Sequence, residues 1–342
     1  MVNSHGILNC AAQYPKKAGS TGLKKVVVTE KLHPDGMAML AARSDIETHY
    51  LEGDKTQLPS VIQEAHAVLV RVLTLSQSDL AAAAKLELIS RHGVGCDNID
   101  VAWCTSKKLP VAIAVDSNTT SVIEHVMMMM LALNKRAFQY DRLTREGKFS
   151  ERSAHHTSEL HGKHVLIVGF GRIGKRIAPL CKAFGMRVTV ADIDLDRDYA
   201  EKLGVDAVEN FRPLLGSADY LTVHVPLDDT TRHLIGENEL KALPSHSIVI
   251  NCARGGVVDE QALAVAIHDG QIAATGSDVF TVEPPASDNP LLTLPNSILT
   301  PHNAAGTAES LCRMATYSVQ NILDFFDGQL TSDRLINPEV FE

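Results

Sequence analysis

The chain has 342 residues, a length that favours about two domains over a single core. Apolar residues make up 45% and charged residues 21%, as in ordinary globular proteins, and no apolar run reaches the ~20 residues that a bilayer requires. The formal net charge of −9 argues against a nucleic-acid binder, because such a protein needs a basic face to neutralise phosphates.

The N-terminal segment, residues 1–23, is expected to be a loosely ordered arm without a secretory signal, because its apolar patch is short and its first lysines follow that patch. Six scattered cysteines, none at metal-ligand spacing, predict reduced thiols in a cytoplasmic protein. No metal is expected at the cluster formed by His155, His156, His161 and His164, since adjacent histidines point in different directions and no carboxylate completes a ligand set.

Short strand-like runs alternate with helical stretches along the chain, which predicts parallel sheets covered by helices. The first series comprises Lys25–Thr29, Ile46–Leu51, Ala67–Val72, Leu86–Arg91 and Pro110–Val115. The second series comprises His164–Val168, Arg187–Ala191, Tyr220–Val225, Ser247–Asn251, Ile272–Ser277 and Ser297–Thr300. One long helix from about Thr119 to Arg145, buried around Met127–Met130, is expected between the two series. A last helix, Ala308–Phe326, can pack back on the first domain and make that domain discontinuous.

A glycine-rich run follows the first strand of the second series and opens a helix; it reads Gly169-Phe170-Gly171-Arg172-Ile173-Gly174. Its glycines permit a tight turn, approach of a pyrophosphate to the backbone, and close packing of helix on strand. Asp192 follows the next strand, where an acid binds a ribose hydroxyl and repels a 2′-phosphate. The pattern predicts a dinucleotide site that favours NAD over NADP, with Arg197 left open as a phosphate partner.

The other strand ends of the second series carry polar residues that should meet at one edge of the sheet. They are His224, Val225 and Pro226 after the third strand, Cys252, Ala253 and Arg254 after the fourth, Asp278 and Glu283 after the fifth, and His302 after the sixth. Taken singly, Arg254 can be a surface cation, Glu283 a solvated acid and His302 a helix cap. Their common edge favours a functional interpretation.

These side-chain types suit hydride transfer to a 2-oxo acid. Arg254 supplies paired donors that hold a carboxylate and polarise the neighbouring carbonyl. His302 can exchange the proton of the hydroxyl group, and Glu283 can bond the other imidazole nitrogen, fix the tautomer and favour the imidazolium. The cofactor carries the redox chemistry, and the protein orients and polarises the reactants.

Four ordered motifs resemble those of the D-isomer-specific 2-hydroxyacid dehydrogenase family. They are Gly-Phe-Gly-Arg-Ile-Gly, Asn-Cys-Ala-Arg-Gly-Gly-Val-Val-Asp-Glu, Asp-Val-Phe-Thr-Val-Glu-Pro and Thr-Pro-His-Asn-Ala, within a likeness from about Lys25 to Phe326. The resemblance implies catalytic roles for Arg254, Glu283 and His302. It also implies that Asp278 contacts the nicotinamide amide and that Thr231 contacts the cofactor.

The first series also resembles that family, in the run Arg91-His92-Gly93-Val94-Gly95-Cys96-Asp97-Asn98-Ile99-Asp100. The resemblance implies that backbone amides of Gly93, Val94 and Gly95 meet the substrate carboxylate. Arg71 and Asn118 fall where phosphoglycerate dehydrogenases place substrate contacts. The family is usually a homodimer joined through its nucleotide domains, here through the region 119–145 and the following arm to about Leu160.

The implied fold is α/β, with two doubly wound parallel-sheet domains and a cleft between them. A Rossmann NAD domain spans 119–305, and a flavodoxin-like substrate domain spans 24–118 plus 306–342. Because the chain ends at Glu342, a short form without a C-terminal regulatory domain is expected. The arm after Gly147 lacks the tryptophan and clustered lysines of phosphoglycerate dehydrogenases, which favours hydroxypyruvate, glyoxylate or pyruvate over a phosphorylated acid. Arg71 and Asn118 keep 3-phosphoglycerate open.

Three other functions stay open at this point. An NAD-sensing interaction protein, similar to the C-terminal-binding-protein corepressors, keeps the same three residues. Formate dehydrogenases resemble this family but have a glutamine where Glu283 stands, which disfavours that activity. Phosphite oxidation fits the same scaffold. Turnover of a simple 2-oxo acid would separate an enzyme from a sensing protein.

Overall fold

The computed structural model describes residues 22–153 and 157–341, so the segment 1–21 of the predicted arm lies outside the described residues, as do His155 and His156. The chain divides into two compact units. The first unit is formed by residues up to Asn118 together with those from Thr307 onward, and the second unit is Thr119–Gly306. The limits expected from the sequence for the nucleotide domain were 119 and 305.

Both units are built from parallel strands joined by helices. The strands are β1 Lys24–Val28, β2 Ile46–Tyr50, β3 Ala67–Val70, β4 Leu88–Arg91, β5 Val111–Ile113, β6 His164–Val168, β7 Arg187–Ala191, β8 Asp206–Val208, β9 Tyr220–Val223, β10 Ile248–Asn251, β11 Ala274–Ser277 and β12 Ser297–Leu299. The helices are α1 Pro34–Ala41, α2 Leu58–Val61, α3 Gln77–Ala81, α4 Val101–Ser106, α5 Thr119–Asn134, α6 Ala137–Arg145, α7 Arg172–Ala183, α8 Arg197–Leu203, α9 Glu237–Ala242, α10 Glu260–His268 and α11 Ala308–Asp327.

The first unit has a five-stranded parallel sheet in the order β2-β1-β3-β4-β5. β3 and the last three residues of β1 are buried, and their continuous apolar runs, Ala67–Val70 and Val26–Val28, are typical of strands covered on both faces. The edge strand β2 has exposed residues at every second position. α1 and α11 cover one face, and they approach so closely that a Cβ on Gly36 would lie 2.9 Å from the Cβ of Ala315. The C-terminal helix therefore completes the core of this unit.

The second unit has a seven-stranded parallel sheet in the order β12-β11-β10-β9-β6-β7-β8. Strand order reverses at β6, because β7 continues on one side of it and β9 lies on the other. In such sheets ligands bind at the carboxyl ends beside the reversal point. The predicted α/β class with two parallel sheets is confirmed. β8 was not predicted, because its three residues form a short and partly exposed edge strand.

The predicted single helix over 119–145 is wrong, because two helices, α5 and α6, occupy this range. Arg136 between them adopts the left-handed conformation, with φ of 51°. Neither glycine nor proline marks the break in the sequence. Tertiary bonds hold it instead, since the side chains of Asn134 and Lys135 both donate to the carbonyl of Ser158, at 2.9 and 2.7 Å. None of the described helices is long and apolar enough to cross a membrane.

Candidate active site

The glycine-rich loop connects β6 to α7 and is closely packed. Gly169 has φ of +100°, and a Cβ there would lie 2.6 Å from the carbonyl oxygen of His224. A Cβ on Gly174 would lie 2.0 Å from the carbonyl oxygen of Gly169, so helix and loop can approach only with glycine at this position. A Cβ on Gly171 would have no atom within 4 Å, so there is open space at the start of α7. This open space beside a helix N-terminus fits a pyrophosphate.

The acid after β7 is fixed against this loop. The Asp192 carboxylate accepts the backbone N–H of Phe170 at 2.6 Å and that of Asp194 at 3.0 Å. Its negative charge therefore lies beside the glycine loop, where the sequence predicts the ribose contact. Arg197, the alternative partner for a 2′-phosphate, forms an ion pair of 2.7 Å with Glu209.

Two of the three predicted catalytic residues are directly bonded. His302 Nδ1 lies 2.7 Å from Glu283 Oε2, and both side chains are partly open to solvent, with exposed fractions of 47% and 37%. Glu283 Oε1 also accepts the backbone N–H of Phe280 at 3.0 Å, which fixes the carboxylate. An ionised carboxylate accepts the Nδ1 proton, so Nε2 is the nitrogen left to exchange a proton with a ligand.

Arg254 stands at the end of β10, the strand next to β11. Asn251 shapes its loop, because its amide donates to the Arg254 carbonyl at 2.9 Å and its Oδ1 accepts the N–H of Ala253 at 3.0 Å. A Cβ on Gly255 would lie 1.9 Å from the Phe280 carbonyl oxygen. The arginine loop and the loop that leads to Glu283 are therefore in contact.

Asp278 holds the turn that carries His302. Its carboxylate, 1% exposed as a residue, accepts the Thr300 hydroxyl at 2.6 Å and the backbone N–H groups of Asn303 and Ala304 at 2.9 Å each. Its carbonyl accepts the His302 N–H at 2.7 Å. These bonds stabilise His302 at φ of 51°, a left-handed conformation that a residue with a Cβ rarely adopts.

The remaining predicted cofactor residues lie at neighbouring strand ends of the second unit. His224 follows β9 and bonds the Thr222 hydroxyl at 3.0 Å, and burial lowers the pKa of its imidazole to about 4. Thr231 donates to the Pro226 carbonyl at 2.7 Å and so closes the turn after this strand. Cys252 is buried against Met129, and burial raises the pKa of its thiol.

The predicted substrate residues Gly93, Val94 and Gly95 form the loop after β4 in the first unit. Gly93 has φ of +131°, a conformation that favours glycine, and its carbonyl accepts the Ala114 N–H at 2.8 Å. Arg91 donates through Nε to the Gly95 carbonyl at 2.6 Å and through Nη1 to the His92 carbonyl. Arg91 therefore fixes the loop by donating to two carbonyl groups of the loop backbone.

The other two predicted substrate residues lie at further carboxyl ends of the same sheet. Arg71 follows β3, the strand paired with β4, and Asn118 ends the segment after β5. His92, which follows Arg91 in the sequence, is buried. Burial, together with the positive charges of Arg71 and Arg91, lowers the pKa of His92 to about 3.

Several residues that fix these loops were missed by the sequence interpretation. Asn251 was quoted only as part of a motif. Glu260 accepts the Thr281 hydroxyl at 2.8 Å and the Asn289 amide at 2.7 Å, and so holds the segment around Glu283. His125 Nε2 lies 3.0 Å from the Thr300 hydroxyl. Asn251 and Glu260 stand at the two ends of the quoted motif around Arg254, but the motif does not show what their side chains bond. Glu260 and His125 act on residues distant in the sequence, which no spacing indicates.

One group of potential metal ligands occurs among residues 22–153 and 157–341, formed by His33, Asp35 and Cys312. The Cys312 thiol donates to Asp35 at 3.3 Å, and this hydrogen bond raises the pKa of the thiol. The thiol therefore tends to keep the proton that a metal would have to displace. His164, part of the histidine-rich segment, is buried and bonds Ser217 and Thr189 instead.

The family model and the curated relatives identify the family of this chain. Residues 127–304, slightly more than half of the chain, match the family model described as D-isomer specific 2-hydroxyacid dehydrogenase, NAD binding domain. The predicted resemblance and the predicted NAD cofactor are thereby confirmed. A D-3-phosphoglycerate dehydrogenase of Methanocaldococcus jannaschii is 37% identical over 318 residues, which are 92% of this chain and 60% of that protein.

Two further relatives are matched over most of their length. A glyoxylate reductase of Aeropyrum pernix is 35% identical over 92% of this chain and 96% of that protein. A crystal structure of D-lactate dehydrogenase from Aquifex aeolicus, complexed with NAD and lactic acid, is similar with a TM-score of 0.83 and 29% identity, over 91% and 99% of the two chains. By contrast, the chain spans about three fifths of the length of the first two phosphoglycerate dehydrogenases it matches.

Proposed function

We propose that this chain, which belongs to the D-isomer specific 2-hydroxyacid dehydrogenase family, transfers a hydride reversibly between NAD and a small D-2-hydroxy acid. The observation that carries the proposal is the 2.7 Å contact between His302 Nδ1 and Glu283 Oε2. It occurs at the carboxyl edge of the sheet that also carries the glycine loop and Arg254. An acid–base pair beside a dinucleotide site is what hydride transfer to a carbonyl requires.

Each residue then has a chemical task. When bound, NAD(H) supplies or accepts the hydride. Arg254 binds the substrate carboxylate with its planar guanidinium and polarises the adjacent carbonyl. His302 gives its Nε2 proton to the oxygen at C2 during reduction and takes it back during oxidation. Glu283 holds the imidazole through Nδ1 and compensates the positive charge that develops when His302 is protonated.

We propose that the first unit, 24–118 with 306–342, supplies the other substrate contacts. These are the backbone amides of Gly93, Val94 and Gly95, with Arg71 and Asn118. The second unit supplies cofactor contacts in its glycine loop, Asp192, the segment 224–226, Thr231, Cys252, Ala253 and Asp278. The hydrogen bonds to the carbonyl groups of the loop after β4 support the first assignment, because backbone donors bind an anion best when they are already oriented.

The preferred substrates are small 2-oxo acids with an uncharged side chain, such as glyoxylate, pyruvate or hydroxypyruvate. The segment after Gly147 supports this choice over 3-phosphohydroxypyruvate, because it lacks the tryptophan and the clustered lysines expected of phosphoglycerate dehydrogenases. Initial rates of NADH oxidation across these acids, with hydroxypyruvate and its 3-phosphate at equal ionic strength, test it. A preference for the phosphate that is abolished in Arg71→Ala would assign the phosphorylated acid instead. No turnover on any acid would favour a sensing protein.

We also propose a homodimer joined through the second unit, in the region 119–145 and the following segment to Leu160. Phe138 and Phe149 are 62% and 63% exposed, which is costly for large apolar side chains unless a partner covers them. Light scattering on the purified protein should give twice the chain mass, and Phe138→Ser with Phe149→Ser should halve it. A monomeric wild type would overturn the proposal.

The cytoplasmic location stays a prediction.

A further inference from the structure

We propose that Glu30 is a positioning residue that fixes the loop bearing Arg71 for substrate recognition, an inference that rests on the proposed function. Glu30 follows β1, and its role was not predicted from the sequence. It lies at the same carboxyl edge of the first sheet as Arg71, because β1 pairs with β3 in parallel. Its side chain is half-buried.

The contacts of Glu30 are with three successive backbone amides. Glu30 Oε2 accepts the N–H of Arg71 at 3.1 Å, and Oε1 accepts those of Val72 at 3.1 Å and Leu73 at 2.6 Å. The Thr29 hydroxyl also donates to Oε2. Bonds from N–H groups to a carboxylate are stronger than neutral ones, so this set holds the loop firmly.

A second side chain holds the same loop by its carbonyl groups. Asn98 Nδ2 donates to the Arg71 carbonyl at 3.3 Å and to the Leu73 carbonyl at 2.8 Å. Lys55 Nζ donates to the next carbonyl, that of Thr74, at 2.7 Å. The three N–H groups of the segment 71–73 and the carbonyl groups of Arg71 and Leu73 are therefore bonded by side chains from distant parts of the first unit.

Packing alone does not hold this loop. Val72 at its centre is 71% exposed, whereas Leu73 is buried, so the loop has one apolar anchor. Three converging N–H groups form an anion-binding concavity of the kind that elsewhere takes a phosphate or a carboxylate. Glu30 fills it with an internal carboxylate. The substrate is then left to contact the Arg71 side chain, whose backbone Glu30 keeps in place.

The experiment compares Glu30→Ala with the wild type on the 2-oxo acid that the wild type reduces best. We expect KM to rise about tenfold while kcat changes less than about threefold. The variant loses the hydrogen bonds that fix the loop bearing Arg71, but it keeps His302 and Glu283. Glu30→Gln should lie between, since an amide oxygen still accepts from Val72 and Leu73 but its NH₂ group opposes the Arg71 N–H. Glu47→Gln, an exposed acid on β2, is the matched control.

A double-mutant cycle separates positioning from general destabilisation. If Glu30 acts through Arg71, Glu30→Ala should change KM little in an Arg71→Ala background. Fully additive effects, or equal losses in kcat and in KM with a lower Tm, would overturn the proposal. Added acetate should lower the KM of Glu30→Ala and not that of the wild type, because it can enter the vacated concavity.

Hydrogen exchange gives a readout that needs no turnover. The amides of residues 71–73 should be protected in the wild type, exchange faster in Glu30→Ala, and regain protection with acetate. Fast exchange in the wild type would show that Glu30 does not hold the amides of residues 71–73. If these amides are protected but the protein turns over no acid, Glu30 does hold the loop and the proposed function is wrong. Protected amides with turnover, but an unchanged KM in Glu30→Ala, would overturn the role in recognition.

Discussion

The second unit presents side chains at its strand ends, whereas the first unit presents backbone that side chains hold in place. In the second unit, His302 and Glu283 are partly exposed and bonded to each other. In the first unit, Arg91 and Asn98 direct their donors at carbonyl groups of the loops after β4 and β3. Proton exchange needs an accessible side chain, while binding of a carboxylate needs only oriented N–H groups. The difference follows from the two tasks.

The largest expected effect tests the side chains of the second unit. His302→Ala should lower kcat/KM about 10²–10⁴-fold, because proton transfer to the substrate oxygen loses its donor. Arg254→Ala should reduce it at least as much, since it removes carboxylate binding and carbonyl polarisation together. Initial rates of NADH oxidation measure both. His268→Ala, an exposed histidine at the end of α10, is the control. Rates of His302→Ala within threefold of the wild type would remove this residue from the mechanism.

A pair of glycine variants tests the backbone of the second unit. In Gly174→Ala the new Cβ would lie 2.0 Å from a carbonyl oxygen, so we expect a loss of about 1–3 kcal/mol in stability and weaker NADH binding. In Gly171→Ala the space is open, so the Tm should stay near that of the wild type while the Kd of NADH rises about tenfold. Thermal melts and fluorescence titration separate the two. Equal Tm losses would show that both glycines serve packing only.

The cofactor preference gives a smaller expected effect. NAD(H) should be preferred over NADP(H) by at least about tenfold in kcat/KM, or about 1.4 kcal/mol, because Asp192 repels a 2′-phosphate. Asp192→Asn keeps one oxygen that can accept the Phe170 N–H and removes the charge, so the preference should fall below about threefold. The adjacent Asp194→Asn is the matched control. Equal efficiency of the wild type with both cofactors would point to Arg197, released from Glu209, as the phosphate partner.

Much of the second unit could be predicted from its sequence, because its chemistry is carried by side chains in ordered motifs. Glu283 and His302 were expected to bond, and they do so. The bonds that fix the first-unit loops could not be predicted. Glu30 and Arg71 are distant in the sequence, and nothing in their spacing indicates that a carboxylate will meet three amides. The break at Arg136 was missed for the same reason, since its cause is a contact with the distant Ser158.

The smallest expected effect concerns His92, which is buried in the first-unit loop that Arg91 holds. Burial, followed by the charges of Arg71 and Arg91, lowers its pKa to about 3, well below the ordinary value of 6.5. Between these two values, His92 is protonated in the unfolded chain and neutral in the folded chain. The first unit should therefore lose stability as the pH falls below about 6.5.

Between pH 7 and 5.5 the cost from this one residue should be about 1 kcal/mol, and His92→Gln should remove that part of the pH dependence. Urea unfolding at the two pH values measures it, and the single tryptophan, Trp103 in α4, reports on the first unit. The comparison uses the difference between the two pH values, so a uniform loss of packing in the variant cancels. An unchanged difference in His92→Gln would mean that His92 is protonated in the folded loop. The loop after β4 would then have to tolerate a charged imidazole together with the positive charges of Arg71 and Arg91.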